Sequence, residues 1–544
     1  MLAPMMGNSP KRRIRRSINR NQIKQKESAS WRRNFLSPTV LLWLWGSASV
    51  SAQSNYTAFE LIRENNWDPL ILEDLNGDGA KDIVYSSFDP AFGRELHIHY
   101  QREDGSFAAN PRQIEIKTEI IAIGFADLRD DPGKELVLFA ESGVFSLSTA
   151  VEGYAGNLKL LTAWDLIATI PDRQRVYFSN IPTDINGDGL IDLLMAGNDQ
   201  YGLLLGTQDG SFTLNARFST LNRDITPIQR AGNATDVDGR LEINPEQGVV
   251  IEVTVDLPSP FEGFVEQWAD QQRSDRPLLR GEQWMPTPSL AHLNNDHLLD
   301  IAYINAGSNG LGQMNIHFQQ TFGFREQAEW QSDLDSSGQL RLIDINGDGL
   351  ADILRLSGDG NEWTASLFLN RAGSFDFTRA NQVMRFSGYD LNLDVITQAQ
   401  GETFLSASFY TIPVVDAIRS ASINRTQLLF GSQGSEPGQV FNRRPSSSLI
   451  EAFSAKNVRG LSEQMSLKYD VDGDGRNDAL YITENGTLAA KKIDTDLTIS
   501  NDVFWEYVAP RTVFEFEVLS LNADERPDLI LRHGRTTTLL VARP

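Results

Sequence analysis

An aspartate-rich motif of nine residues recurs along this chain of 544 residues, and it constrains the fold more than any other feature. Asp184–Asp192 reads DINGDGLID, and Asp344–Asp352 reads DINGDGLAD. Two more full copies are Asp74–Asp82, DLNGDGAKD, and Asp470–Asp478, DVDGDGRND. Several ionised carboxylates this close together repel one another unless a cation lies among them. The motif therefore predicts a cation-binding loop that is repeated along the chain.

The spacing inside the motif indicates which cation the loop binds. Carboxylate or amide oxygens stand at positions 1, 3, 5 and 9, and position 7 can add a backbone carbonyl. Glycine at position 6 allows a sharp bend with positive φ. Ligation by hard oxygen atoms alone is typical of calcium. The EF-hand loop shares the opening of the motif, but it closes with an acid at position 12.

Weaker copies extend the array over most of the chain. Three partial copies follow the same frame, namely Asp127–Glu135 with Arg129 at position 3, His292–Asp300 with His292 at position 1, and Ser520–Asp528 with Ser520 at position 1. Two eroded copies start at Asp236 and Asp390, and we expect no calcium there because the glycine and the closing acid are missing. Successive copies start 46 to 57 residues apart, with one interval of 80. Such a pitch indicates an array of similar structural units.

Short apolar runs flank the loops. The four full copies lead into DIVY, DLLMAG, DILRL and DALYIT, which Gly, Asp and Asn bound, as is typical of β-strands. About four such strands per repeat is the content of a propeller blade. The sequence therefore predicts an all-β fold, a β-propeller of seven to nine four-stranded blades. We expect the N-terminal segments TAFELI and PLILEDL to complete the last blade and close the ring.

With these loops and strands, the chain resembles the FG-GAP/VCBS-repeat family over about residues 56–544. These are calcium-loop β-propellers, among them the integrin α-subunit head and many secreted bacterial proteins. The resemblance implies calcium as the cofactor, bound in a loop between two strands of a blade. The implied side-chain ligands are Asp74, Asn76, Asp78 and Asp82; Asp184, Asn186, Asp188 and Asp192; Asp344, Asn346, Asp348 and Asp352; and Asp470, Asp472, Asp474 and Asp478. The implied carbonyl ligands belong to Ala80, Leu190, Leu350 and Arg476.

The three partial loops depart from the family pattern. His292 is a poor ligand for a hard cation. Arg129 and Ser520 weaken their loops, and Arg129 can itself neutralise the neighbouring acids.

Residues 1–52 read as an export signal that is cleaved before Gln53, leaving residues 53–544 as the propeller. Ten basic residues stand against the single acid Glu27, and a short apolar run follows. RRNFL at Arg32–Leu36 partly matches the twin-arginine signal, and a Sec signal with a long basic lead is the alternative. The apolar run is shorter than the roughly 20 residues that span a bilayer. We therefore expect no membrane span in the mature chain and a periplasmic, cell-surface or secreted location.

Charge and cysteine content exclude several classes of function. The formal net charge is −23, and removal of the basic leader makes the chain still more acidic. Phosphate backbones would be repelled, so we expect no nucleic-acid partner. The chain contains no cysteine, which excludes disulfides, thiolate metal sites and cysteine nucleophiles.

Two long inserts, at about residues 256–288 and 411–459, are candidate partner-binding regions. The first carries Phe261, Phe264, Trp268 and Trp284, which could bind a partner or cover the blade edge beneath them. In the second, a capping box of Ser448 with Glu451 predicts a short helix.

The motif search favours a protein without catalytic activity. The sequence contains no G-x-S-x-G, H-E-x-x-H, P-loop or G-x-G-x-x-G motif. The first hypothesis is thus an exported calcium-stabilised propeller that binds a protein or glycan partner in adhesion or cell-surface assembly. The alternative is a polysaccharide-active lyase or glycosidase on the same scaffold, because fold does not fix function. A third hypothesis is a purely structural scaffold. The oligomeric state does not follow from the sequence.

Overall fold

The computed structural model describes the greater part of the chain after residue 55. The described residues are 56–63, 70–130, 132–140, 143–148, 154–156, 158–164, 174–197, 200–219, 288–306, 311–321, 323–335, 337–358, 360–398, 401–412, 422–432, 440–454, 464–522 and 527–542. The predicted export signal, the eroded copy at Asp236 and nearly all of the first insert lie outside them.

Eight sheets, each built on four antiparallel strands, form a ring, and the fold is an eight-bladed β-propeller. The prediction of an all-β propeller is confirmed, and eight blades lie within the predicted range. Within the described part of the chain, no helix has the length and apolar character needed to cross a membrane.

Strand β1 (Tyr56–Ile62) opens the described chain, and the next four blades follow in order. Blade 1 contains β2 (Ile71–Glu73), β3 (Asp82–Asp89), β4 (Gly93–His99) and β5 (Arg112–Ile116). Blade 2 contains β6 (Ile120–Ala126), β7 (Glu135–Ala140), β8 (Gly143–Leu147) and β9 (Lys159–Ala163), and β10 (Tyr177–Phe178) pairs parallel with β6. Blade 3 contains β11 (Pro182–Thr183), β12 (Asp192–Gly197), β13 (Gln200–Gly206) and β14 (Phe212–Ser219). Blade 4 contains β15 (Ser289–Ala291), β16 (Asp300–Ala306), β17 (Leu311–His317) and β18 (Trp330–Asp335).

The other four blades complete the ring. Blade 5 contains β19 (Gln339–Ile343), β20 (Asp352–Gly358), β21 (Glu362–Phe368) and β22 (Gln382–Ser387). Blade 6 contains β23 (Tyr389–Thr397), β24 (Thr403–Thr411), β25 (Ser422–Gly431) and β26 (Ser447–Ser454). Blade 7 contains β27 (Ser466–Tyr469), β28 (Asp478–Ile482), β29 (Leu488–Ile493) and β30 (Ile499–Tyr507). Blade 8 contains β31 (Glu515–Leu519), β32 (Asp528–Arg532) and β33 (Thr536–Ala542), together with β1.

The two ends of the described chain meet in blade 8. Strand β1 pairs antiparallel with β33, from Tyr56 opposite Ala542 to Ile62 opposite Thr536. This pairing confirms that TAFELI completes the last blade. The matching prediction for PLILEDL is wrong, because that segment contains β2 of blade 1, and β1 already covers the edge of β33. The pairing thus joins the first and last strands of the described chain in one sheet.

The acidic loops occupy the same place in seven blades, between the first and second strands. Blade 6 is the exception, because a tight turn at Gln398–Glu402 connects β23 to β24. The eroded copy at Asp390 lies within β23, where Asp390 has a φ of 54°. That copy is therefore strand rather than loop, and the interval of 80 residues after it contains the rest of blade 6.

The hydrophobic core is a series of clusters between neighbouring blades. Leu96 and Ile98 of blade 1 pack with Ile123 and Leu138 of blade 2, and none of the four is more than 5% exposed. A middle strand such as β7 is apolar on both faces, with Leu138 packed towards blade 1 and Phe139 towards blade 3, because each blade has a neighbour on either side. The loops therefore lie at the ends of well-packed sheets.

The helix predicted at Ser448 is wrong. Ser447–Ser454 is strand β26, and its side chains alternate between more and less exposed positions from Ser447 to Phe453. Glu451 instead accepts a hydrogen bond from Arg425 of β25, with 2.7 Å between Nη2 and Oε2. The period-2 pattern and the cross-strand pair outweigh the local capping signal. Residues 411–459 thus supply two strands of blade 6.

Two adjacent residues of β1 offer a test of ring closure. Leu61 is 4% exposed and packs in a cluster with Ile83 of blade 1 and Leu539 of β33, whereas Ile62 is 73% exposed. We expect Leu61→Ala to lower the free energy of unfolding by about 2–4 kcal/mol, because it leaves a cavity at the closure. Ile62→Ala, the matched control, should change it by less than about 0.5 kcal/mol. Urea unfolding measures both, and equal effects would contradict the assigned closure.

Candidate metal centre

The backbone of each full loop folds around its own acids. In the loop of blade 1, Asp74 accepts N–H bonds from Gly77 at 2.8 Å and from Gly79 at 2.9 Å. Asp78 accepts the N–H of Ala80 at 2.8 Å, and Asn76 Oδ1 accepts that of Asp78 at 3.1 Å. The carboxylates at positions 1 and 5 are thereby held on the inside of the turn, where a cation would bind.

The loops of blades 3, 5 and 7 repeat this arrangement. The position-1 acid accepts the N–H of the glycine at position 4 at 2.8, 2.7 and 2.7 Å, from Gly187, Gly347 and Gly473. The position-5 acid accepts the N–H of position 7 at 2.8, 2.9 and 2.9 Å, from Leu190, Leu350 and Arg476. All four full loops thus share the same pattern of backbone hydrogen bonds to positions 1 and 5. Coordination by the position-7 carbonyls stays a prediction.

Glycine at position 6 is needed for its backbone conformation rather than for its size. Gly79, Gly189, Gly349 and Gly475 have φ values of 85–86°. A Cβ atom added to any of them would meet no heavy atom within 4 Å. A side chain would therefore fit in space but would strain the left-handed backbone.

The acid at position 9 has a role that the motif alone does not reveal. In all seven loops this carboxylate is 0% exposed, and one of its oxygens accepts the N–H of position 2. In five loops the other oxygen accepts an N–H at or just after the end of the third strand. These pairs are Asp82 with Gln101, Asp192 with Gly206, Asp300 with Gln319, Asp352 with Asn370, and Asp528 with Ala542. Position 9 therefore ties the loop to the third strand of its blade.

Burial raises the pKa of several of these position-9 carboxylates. Loss of solvation raises the pKa of Asp82 to about 7 and the pKa of Asp352 and Asp478 to about 6, although backbone N–H bonds partly oppose the shift. A nearby cation would favour the ionised form of each group.

Three pairs of neighbouring loops are joined by a backbone hydrogen bond. The N–H of position 8 donates to a carbonyl of the loop in the preceding blade. Lys81 donates to Leu521 at 2.8 Å, Lys134 to Leu75 at 3.0 Å, and Ala351 to His292 at 2.8 Å. The loops are thus part of the contact between blades.

The loop of blade 7 offers the most complete set of acidic ligands. Ligand oxygens of Asp470, Asp472 and Asp478 lie within 4.8 Å of one another, whereas the other full loops have Asn at position 3. The buried Oδ1 of Asp478 has no hydrogen-bond partner among the described residues. An oxygen-only donor set with one such unsatisfied atom fits a hard divalent cation such as calcium.

Side-chain cations enter two of the loops. Arg129, at position 3 in blade 2, approaches Glu135 at 3.3 Å and donates to Ser146 at 2.8 Å, so it neutralises its loop as expected from the sequence. In blade 7, Lys492 of β29 contacts Asp472 and Asp474. The sequence analysis missed Lys492, because a single lysine on the third strand belongs to no motif.

In the other two partial loops, the changed residue at position 1 contacts a backbone carbonyl of its own loop. His292 Nδ1 lies 3.0 Å from the carbonyl oxygen of Leu298, the position-7 residue. The hydroxyl of Ser520 donates to the carbonyl of Asn522 at 2.7 Å. Neither side chain presents a carboxylate at position 1.

Comparison with known proteins adds no functional assignment. No protein-family model matches the chain, and no curated protein matches it. The resemblance to FG-GAP/VCBS repeats therefore stays a prediction.

Three solved structures illustrate the range of similar chains. The first is a lectin of Agrocybe aegerita, described as recognising non-reducing terminal N-acetylglucosamine, with 13% identity and a TM-score of 0.32 over 71% of this chain and 80% of the lectin. Sqt1 of Saccharomyces cerevisiae has 12% identity and a TM-score of 0.40 over 90% of this chain and 99% of its own. The exotype rhamnogalacturonan lyase YesX has 13% identity and a TM-score of 0.28 over 89% and 76%. With TM-scores below 0.5, these similarities carry no argument about the activity of this chain.

The role of position 9 leads to a prediction about stability without metal. Asp352→Ala leaves the N–H groups of Ile345 and Asn370 without their acceptor. We expect the free energy of unfolding to fall by about 2–4 kcal/mol in chelator as well as in calcium, because buried unpaired donors are costly in either buffer. The control, Asp333→Ala, removes an exposed acid of β18. Urea unfolding with and without chelator measures the difference; a loss seen only in calcium would contradict this role.

Proposed function

We propose that this protein is an exported, calcium-binding β-propeller that acts as a binding module for a protein or glycan partner in adhesion or cell-surface assembly. The observation that carries the calcium part is the repetition of one oxygen-rich loop at the same strand connection of four blades. Chance placement of acids would not keep this register through a ring of blades.

Calcium in these loops would act mainly on stability. A ligand that binds only the folded state stabilises it by mass action. Sites in extracellular modules have dissociation constants of about 10⁻⁴–10⁻³ M, so they fill outside the cell. Where a loop is hydrogen-bonded to its neighbour, as between blades 8 and 1 and between blades 4 and 5, a cation that orders it also supports the contact between the two blades.

Export and partner binding rest on separate features. The basic leader with its short apolar run supports export. Support for a binding role comes from the lack of known catalytic motifs and from the long segment between β14 and β15, which carries four large aromatic residues. A polysaccharide-active enzyme is the alternative, and no feature of the described residues favours it.

The calcium proposal predicts a metal-dependent effect at position 5. Asp188→Ala removes a side chain of blade 3 that, among the described residues, is hydrogen-bonded within its own loop to Asn186 and Leu190. We expect it to lower the melting temperature by several degrees in calcium but hardly in chelator. Asp502→Ala, which removes an exposed acid from β30, is the control. Equal losses in both buffers would count against calcium in this loop.

The partner proposal predicts binding without turnover. Residues 53–544 are applied to a polysaccharide array in calcium and in chelator, and released products are measured from the same spots. We expect retention in calcium, weaker retention in chelator and no released fragments. Released fragments would favour the enzyme, and absence of both signals would exclude the arrayed glycans and leave a protein partner.

A further inference from the structure

The loop of blade 7 contains a cation supplied by the protein itself. Lys492 Nζ contacts a carboxylate oxygen of Asp472, lies 2.5 Å from Asp474 Oδ2, and is 3.9 Å from Asp478 Oδ1. Asp478 is 0% exposed, and this oxygen has no hydrogen-bond partner in the described part of the chain. The ammonium group therefore lies among the carboxylates of positions 3, 5 and 9.

The same carboxylates are those that a divalent cation would use. Ligand oxygens of Asp470, Asp472 and Asp478 converge within 4.8 Å. An ammonium and a divalent cation that share Asp472 and Asp478 would repel each other at contact distance. Binding of the metal therefore requires Lys492 to leave.

We propose that Lys492 is an internal competitor for calcium in the loop of blade 7. The lysine weakens calcium binding at this site, and calcium binding releases its ammonium group into solvent. This inference rests on the proposed calcium function. Calcium binding in blade 7 thus changes the surroundings of Lys492.

The chemistry of lysine suits a displaceable cation. Its charge stands at the end of a flexible four-carbon stem, which can swing away without movement of the backbone. The side chain is 30% exposed, and Nζ lies 4.7 Å from the centre of the Phe504 ring in the neighbouring strand β30. Solvent and the ring face are therefore both within reach when the carboxylates bind metal.

The loop of blade 2 is an informative contrast. Arg129 itself stands at position 3 and pairs with the buried Glu135, so its guanidinium replaces a metal ligand. Displacing Arg129 would leave the loop one ligand short. Lys492 comes from another strand, so all four acids of the blade 7 loop remain available.

The remaining full loops serve as internal references. Among the described residues, the acids of the loops at 74–82, 184–192 and 344–352 form no ion pair with lysine or arginine. Their calcium sites should therefore fill without competition from a side chain.

The first test measures the reactivity of Lys492 in the unaltered full chain. An amine-reactive reagent is applied in chelator and in saturating calcium, and mass spectrometry follows each lysine. We expect Lys492 to react about five times faster in calcium, because loss of its ion pairs frees the amine. Lys117, whose side chain is 61% exposed, should react equally in both buffers.

The second test measures calcium affinity by titration calorimetry. Lys492→Met keeps an unbranched side chain but removes its charge, and we expect the site in this loop to bind calcium about five- to tenfold more tightly, where tenfold is about 1.4 kcal/mol. Lys117→Met removes an equal charge elsewhere and should leave the affinities unchanged. Adding Asp478→Asn to Lys492→Met should abolish the gain, which assigns it to this loop.

The outcomes separate this inference from the proposed function. Calcium binding with unchanged Lys492 reactivity, or with unchanged affinity in Lys492→Met, would overturn the inference and leave calcium binding intact. Absence of calcium binding in the calorimeter would overturn both. Faster reaction of Lys492 in calcium needs no variant, so the test holds even if Lys492→Met does not fold.

Discussion

Seven of the eight blades share one interaction, the hydrogen bonds accepted by a buried acid at position 9 of the acidic loop. A buried ionised group is unfavourable unless hydrogen bonds compensate for its lost solvation. Here it accepts one N–H at the start of its own loop and, in five blades, another at or just after the end of the third strand. These contacts fix where the loop leaves the first strand and where the third strand ends. The same residue that a calcium site would use thus also sets the register of the blade.

Given this anchor, the rest of the loop can vary in how its charge is balanced. Blades 1, 3 and 5 keep Asn at position 3, blade 2 uses Arg129, and blade 7 combines four aspartates with Lys492. Blade 6 has lost the loop and has a tight turn instead. Every one of these blades still packs against its neighbours, so the loop chemistry is separable from the hydrophobic packing. This separation explains why copies of the motif could erode while the ring remained closed.

The local features of the fold could be predicted from the sequence, and the non-local features could not. Four loops, their strand flanks and the propeller class follow from motifs and spacing within single repeats. Blade number did not follow, because blade 6 has a strand instead of an acidic loop at Asp390, so the seven loops are one fewer than the eight blades. Ser448 shows a second limit, since a capping signal of four residues competes with cross-strand pairing to a distant segment. Lys492 shows a third, because its proximity to the loop arises only when β29 pairs beside β28.

Topology also bears on how calcium and partner binding would be related. Because successive strands are antiparallel, the loops between first and second strands all emerge at one end of the blades, whereas the connections between second and third strands emerge at the other. The exposed Phe92, next to β4, belongs to that second set, and the chain leaves blade 3 at Ser219 and returns at Ser289 on the same side. A partner bound there would not contact the calcium loops. Calcium would then act on partner binding through the contacts between blades. Loss of calcium would therefore weaken a partner-binding surface that spans two blades more than a surface that lies within one blade.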